Sequence, residues 1–289
     1  MSLIALWSPL KSGSGSTMVA SSLPIVLAFE YQVKVLLAHG GHAGERVEQA
    51  FSFKQESFDY MTAFQDTGMD ALERLRTSGR LNPENVRNYT LPLLSDRLDL
   101  LCGPKPMSAE DIHIVSSAED RKQAELMTGV MGSSKRSYDV TVADAGNGGP
   151  GAVDRAILQA ADFIVVGLNQ NMHVLENKLE QQGLPPELKD KASVYIVGKY
   201  DRESHCTLQN IKRRFGIKTT VLGVPYCSGM TDAWNMRSVM SYMQRSRGGT
   251  DLKRMSSLYD AVRNLADAAA EQLGLPSGGS KAGGRHAFG

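Results

Sequence analysis

The residues best suited to chemistry lie in one stretch, Ser8-Pro9-Leu10-Lys11-Ser12-Gly13-Ser14-Gly15-Ser16-Thr17. It follows an apolar run, Leu3 to Trp7, whose length and content fit a buried strand. An apolar-rich segment follows it, Thr17 to Tyr31, long enough for about four helical turns. Strand, glycine-punctuated loop and helix start form the setting in which a loop cradles phosphate. Glycines let the backbone turn tightly and aim several N–H groups inward, and the helix N-terminus adds partial positive charge. Thr17, a hydroxyl at the head of the helix, stands where such a loop places a magnesium ligand. The bland alternative is a flexible Gly/Ser turn between a strand and a helix.

The spacing resembles the deviant Walker A motif of the ParA/MinD family of P-loop NTPases, K-G-G-x-G-K-[ST]. The chain keeps the early lysine as Lys11, the later glycines Gly13 and Gly15, and the terminal Thr17. Ser12 replaces a glycine, and Ser16 replaces the ordinary P-loop lysine that neutralises the β- and γ-phosphates. The resemblance implies that the loop from Lys11 through Ser14 to Met18 binds ATP, and that Lys11 reaches across a homodimer to the partner's nucleotide. Tyr138-Asp139-Val140-Thr141-Val142-Ala143-Asp144-Ala145-Gly146-Asn147-Gly148 resembles a second family segment, Y-D-x-x-x-x-D-x-P-P-G, with Gly146 and Asn147 replacing both prolines. A strand-end aspartate beside a phosphate loop holds Mg2+, usually through water, so Asp144 and Thr17 are the expected metal ligands. Gly148 is expected to offer its N–H to the γ-phosphate and so to sense its presence.

Two departures bear on turnover. Beside Ser16 stands His39, at the end of the run Val33 to Ala38, where the family has an aspartate that helps to place the attacking water. A metal pair of His39 and His42 is a weaker reading than a glycine-flanked loop, since no carboxylate or cysteine accompanies it. Binding without efficient hydrolysis is therefore expected, with Lys11 and Asp144 as the residues that bear on catalysis.

The elements that must position these residues follow as alternating strands and helices. Met69 to Arg76 has apolar residues at helical spacing, and Asn82-Pro83 opens another helix. Leu98 to Cys102 reads as a strand stopped by Gly103-Pro104, Ala152 to Ala161 as a short helix, and Asp162 to Leu168 as a buried strand. Met172 to Gln182 reads as a helix ended by Gly183, and Ser193 to Gly198 as a further strand. The family often ends that strand with an asparagine that contacts the base. Here Gly198-Lys199-Tyr200-Asp201 stands instead, and a solvated turn is the default beside base recognition by Lys199 or Asp201. Thr219 to Tyr226 resembles the family strand that delivers a V-P-x loop over adenine, which assigns Pro225 to the nucleotide. Leu258 to Leu273 closes the fold with one apolar face. Repeated strand-helix units give an α/β fold, a mainly parallel sheet flanked by helices on both faces, with nucleotide at the carboxyl ends of the strands. Residues 1–275 are read as one domain and 276–289 as a disordered Gly/Ser-rich tail.

Composition bounds the partners. Hydrophobic content is 42% and charged content 22%, ordinary for a globular chain with a sizeable core. Lys and Arg total 32 against 31 Asp and Glu, so global charge argues for neither nucleic acid nor an acidic partner. Two basic clusters, Lys212-Arg213-Arg214 and Arg245, Arg247 and Arg254, resemble the surface arginines with which ParA relatives bind DNA, although a solvated face is favoured. The scattered Cys102, Cys206 and Cys227 imply neither zinc nor a disulfide framework. No apolar run approaches a membrane span, and a cytoplasmic location is expected, with recruitment to a membrane-associated or polar complex left open. The altered motifs are similar to those of the atypical members TadZ and CpaE, associated with pilus assembly. That analogy implies a nucleotide-dependent dimerising switch that positions a larger machine. An active DNA-partitioning ATPase and a nucleotide-free scaffold are the alternatives.

Overall fold

Short apolar runs align side by side in one sheet, and those at its centre are buried on both faces because helices lie above and below them. In chain order the strands are β1 (Ser2–Ser8), β2 (Val35–His39), β3 (Leu91–Leu94), β4 (Leu98–Leu100), β5 (Val140–Asn147), β6 (Phe163–Leu168), β7 (Ala192–Tyr200) and β8 (Val221–Pro225). They form an eight-stranded sheet in the order β3-β4-β2-β5-β1-β6-β7-β8, every pair parallel except β3 with β4. The computed structural model describes residues 2–40, 46–52, 67–103, 117–247 and 253–276.

Alternation along the strands assigns the two cores. Ile4 and Leu6 of β1, with Val35 and Leu37 of β2, face one side. Leu3, Ala5 and Trp7, with Leu36 and Ala38, face the other. The first side is covered by α1 (Ser16–Glu30), α7 (Ser228–Asn235), α8 (Val239–Arg247) and α9 (Lys253–Leu273). The second is covered by α2 (Gly68–Thr77), α3 (Ser117–Ser137), α4 (Ala152–Ala160) and α6 (Leu208–Arg214). Helix α1 is buried almost throughout, which is why its sequence shows no polar stripe. Its Pro24 removes a backbone donor from the helix interior. The Ser21 and Ser22 hydroxyls donate to the Thr17 and Met18 carbonyls one turn back.

The sheet and its helices match the mainly parallel architecture expected. Two local readings are corrected, and one strand was not foreseen. The segment Leu91–Leu94 is a strand, antiparallel to β4, although Pro92 argues against strand in a four-residue run. An edge strand tolerates proline because one row of its backbone groups has no sheet partner. Asn82-Pro83 opens a 3₁₀ helix over Pro83–Tyr89. The helix read over Met172 to Gln182 is a single α turn, α5 (Met172–Leu175), widening into a π turn over Glu176–Gln181. No described helix is long and apolar enough to cross a membrane.

Candidate nucleotide site

β1 lies at the centre of the sheet, between β5 and β6, and the chain leaves its carboxyl end into the loop Pro9 to Gly15. Gly13 and Gly15 adopt φ of 84° and 68°, left-handed values that a side chain resists. The loop is tied down at its start, where the Ser8 hydroxyl donates to the Gly167 carbonyl at 2.7 Å and accepts from the Leu10 N–H at 3.1 Å. Its end passes directly under β7, since a Cβ built on Gly198 would lie 1.9 Å from the Ser14 carbonyl oxygen. The loop feeds α1, whose first-turn N–H groups have no intrahelical acceptor, and Ser16, Thr17 and Met18 of that turn line the cleft. The cleft has a volume of about 730 Å³, within the range of small-molecule sites.

Ser16, at the position of the ordinary P-loop lysine, turns its hydroxyl inward. Its Oγ is 2.7 Å from Ser14 Oγ, and a Cβ on Gly167 would meet it at 2.1 Å. The side chain therefore closes the underside of the loop against β6.

Asp144 sits on β5 in register with Leu6 of β1 and His39 of β2, so the sheet itself brings the three strand ends together. It is buried, and its Oδ1 accepts from the Gly146 N–H at 3.0 Å. Burial pushes the carboxyl above its usual range, opposed by the Gly146 N–H, the nearby His39 and a hydrogen bond with Thr17. A desolvated carboxylate beside a threonine hydroxyl and a helix N-terminus fits a hydrated Mg2+ that takes its other ligands from phosphate and water. Among the described residues no group of three or more His, Cys, Asp or Glu side chains forms an all-protein metal cage. Asp154, in the first turn of α4, is a further carboxylate on the cleft wall, and it raises the Asp144 carboxyl further.

His39 is the last residue of β2, buried and lining the cleft. Its Nε2 lies 2.7 Å from Glu48 Oε1, and the Gly103 N–H donates to the same carboxylate at 2.8 Å. A Cβ on Gly103 would come within 2.3 Å of the imidazole, so the ring is clamped between that backbone and Glu48. Burial raises the Glu48 carboxyl, but its hydrogen bond and charge interaction with His39, with help from Arg46, outweigh burial and hold it at about 2. The Glu48 partnership was not legible in the sequence, where the pair is nine residues apart with no shared motif. His42 lies outside the described residues.

Of the residues assigned from sequence, Lys11, Ser12, Gly13, Ser14, Gly15, Ser16, Thr17, Met18, Asp144 and Pro225 all line the one cleft. Gly148 does not. Its N–H donates to the Ser8 carbonyl at 2.8 Å, and a Cβ built on it would meet the Lys11 side chain at 3.3 Å. The turn expected at Gly198 to Asp201 is corrected, because Lys199 belongs to β7 and lines the cleft. Tyr226, beside Pro225, is 61% exposed at the cleft rim, an aromatic face open to a planar ligand. Of the basic clusters, Arg214 pairs with Glu176 and Glu180, and Arg247 with Glu30. Lys212, Arg213 and Arg245 are exposed, and the Arg254 side chain lies outside the described residues.

No protein-family model and no curated protein matches the chain. Solved structures do. A ParA family ATPase from Chlorobium tepidum TLS superposes with a TM-score of 0.68 at 15% identity, covering 92% of this chain and 98% of that one. The septum site-determining protein MinD of Pyrococcus horikoshii OT3, complexed with Mg-ADP, gives 0.63 at 14% identity, covering 94% and 99%. A chain of the MinC:MinD cell division protein complex of Aquifex aeolicus gives 0.64 at 16% identity, covering 92% and 96%. The architecture of this chain is thus the fold of the ParA/MinD P-loop NTPases, carried at an identity that speaks for the fold alone.

Proposed function

We propose that the chain is a nucleotide-dependent dimerising switch that binds ATP with Mg2+ and positions a larger protein assembly, with slow or absent hydrolysis. The supporting observation is the convergence of a loop with two left-handed glycines, a helix N-terminus, Thr17 and buried Asp144 on one cleft of about 730 Å³. Backbone N–H groups of the loop and α1 would hold the phosphates, Thr17 and Asp144 the cation, and Pro225 with Tyr226 the base. When bound, Mg2+ supplies charge that neutralises the phosphates and the desolvated Asp144 carboxylate. Lys11 is exposed at the loop's outer edge, where it can cross to a second copy of the chain.

Turnover lacks its usual stabilisers. Ser16 keeps its hydroxyl inside the loop, and His39 holds an imidazole, pinned by Glu48, where the resemblance expects a carboxylate. Each missing electrostatic contact is worth roughly two to three orders of magnitude in rate. The pairing of Arg214 and Arg247 with acids weakens the alternative of a DNA-partitioning ATPase. By analogy with TadZ and CpaE, the assembly positioned is of the pilus or secretion type.

The test is a calorimetric titration with Mg-ATP followed by a steady-state phosphate-release assay, with and without duplex DNA. Binding with release barely above background supports the proposal. No heat with ATP, ADP or GTP would leave a nucleotide-free scaffold, and release that rises with DNA and vanishes in Asp144→Ala would establish the partitioning ATPase instead.

A further inference from the structure

The loop has serine where a P-loop has its lysine, and the fold carries another lysine to the wall of the same cleft. Lys199 lines the cleft at the carboxyl end of β7 and is exposed there. It stands at a break in the β7–β8 pairing: Gly198 pairs with Val224 and Tyr200 with Pro225, so Lys199 is the extra residue of a bulge. Bulges recur beside functional sites because the inserted residue re-aims a side chain.

The backbone at this bulge is the second observation. Lys199 has φ of 52°, the left-handed conformation usually left to glycine or asparagine. Three other non-glycine residues among those described share it, Asp96, Asp190 and Arg237, and each lies in a turn. Lys199 alone of the four is in a strand. Strained backbone at a cleft is retained where surrounding structure over-determines it. Here that structure is the phosphate loop, because Gly198 is pressed against the Ser14 carbonyl and its Cα lies 3.8 Å from where a Gly15 Cβ would be. The lysine's backbone is therefore fastened to the two residues that precede Ser16. Among the described residues Lys199 forms no ion pair, so its ammonium is available to a ligand.

We propose that Lys199 supplies, from the β7 bulge, the positive charge that Ser16 no longer brings to the bound phosphates. The inference rests on the nucleotide reading and deepens it: the cleft recognises a polyphosphate through a lysine delivered from the carboxyl end of β7.

The test compares wild type, Lys199→Asn, Lys199→Gly, Ser16→Lys and the double variant Ser16→Lys/Lys199→Asn in calorimetric titrations with Mg-ATP and with inorganic triphosphate. Asparagine and glycine both accept the left-handed backbone, so both variants should melt no lower than wild type, and lost affinity then reports the ammonium. Losing a charge-assisted contact should weaken ATP and triphosphate alike by about tenfold or more. Restoring the loop lysine in the double variant should recover most of that loss. Triphosphate affinity unchanged while ATP weakens would place Lys199 on the base and overturn the assignment. Unchanged affinity for both ligands, or no recovery in a double variant that melts with wild type, would overturn it as well. Wild type that binds neither ligand would instead refute the nucleotide reading, and this inference with it.

Discussion

Gly198→Ala is the smallest change that should disable the cleft without touching a residue that contacts the ligand. A Cβ there would lie 1.9 Å from the Ser14 carbonyl oxygen, 2.6 Å from its carbon and 3.2 Å from the Gly15 nitrogen. All three are backbone atoms of the phosphate loop, so no side chain can swing away. To reach ordinary van der Waals separation the loop must move by about 1.5 Å, and overpacking of this kind costs about 1–3 kcal/mol. Displacement of a binding loop by about 1 Å is enough to cost roughly a hundredfold in a function that depends on its geometry. Thermal melting and a Mg-ATP titration measure the two effects together, with Gly149→Ala as the control because a Cβ there meets nothing within 4 Å. Gly198→Ala should melt several degrees lower and lose at least tenfold in ATP affinity, while Gly149→Ala stays at wild type. A Gly198→Ala protein with wild-type melting and affinity would refute the close approach of β7 to the loop and everything built on it.

Two further perturbations test the electrostatics around the cleft. Glu48 is held at about 2 against an ordinary 4.5, so its contribution is present above pH 4.5 and is lost as pH falls toward 2. Glu48→Gln should therefore be less stable than wild type near pH 6, by up to about 3 kcal/mol in urea unfolding, with the gap closing toward pH 2. A gap that ignores pH would show that His39 and Glu48 do not form an ionic pair. Asp144→Asn keeps an acceptor for the Gly146 N–H and removes a carboxyl that burial disfavours in its charged form. In metal-free buffer at neutral pH it should melt at or above wild type, yet titrations should show that added Mg2+ no longer strengthens its ATP binding.

What the sequence displayed and what it hid divide along physical lines. The strand and helix order was legible because buried strands are short, apolar and bounded by turn residues, and because Gly13, Gly15 and Thr17 punctuate one such boundary. Asp144 was legible because register in a parallel sheet puts strand ends together, and its strand was recognisable on its own. The β3 strand was hidden by Pro92, whose penalty disappears at a sheet edge. Lys199 was hidden because Gly-Lys-Tyr-Asp has turn composition, and only pairing with β8 reveals a bulge inside a strand. The fate of the Gly148 N–H and the turning of Ser16 toward Gly167 were equally invisible, since both are set by contacts between β1, β5 and β6. His39 and Glu48 meet only because the 3₁₀ turn Val47–Ala50 packs against the end of β2, a tertiary fact with no local signature.

The central claim is that nucleotide closes two copies of the chain across the cleft with Lys11 as the crossing residue. A triphosphate brought against its symmetry mate repels it, and a lysine opposite each nucleotide is what offsets that repulsion. Sedimentation velocity at tens of micromolar protein, with and without saturating Mg-ATP, on wild type and Lys11→Ala, tests this most directly. Wild type should pass from monomer to dimer on adding ATP, and Lys11→Ala should remain monomeric although it still binds nucleotide. Wild type that stays monomeric in both conditions, or a dimer indifferent to both ATP and Lys11, would contradict it.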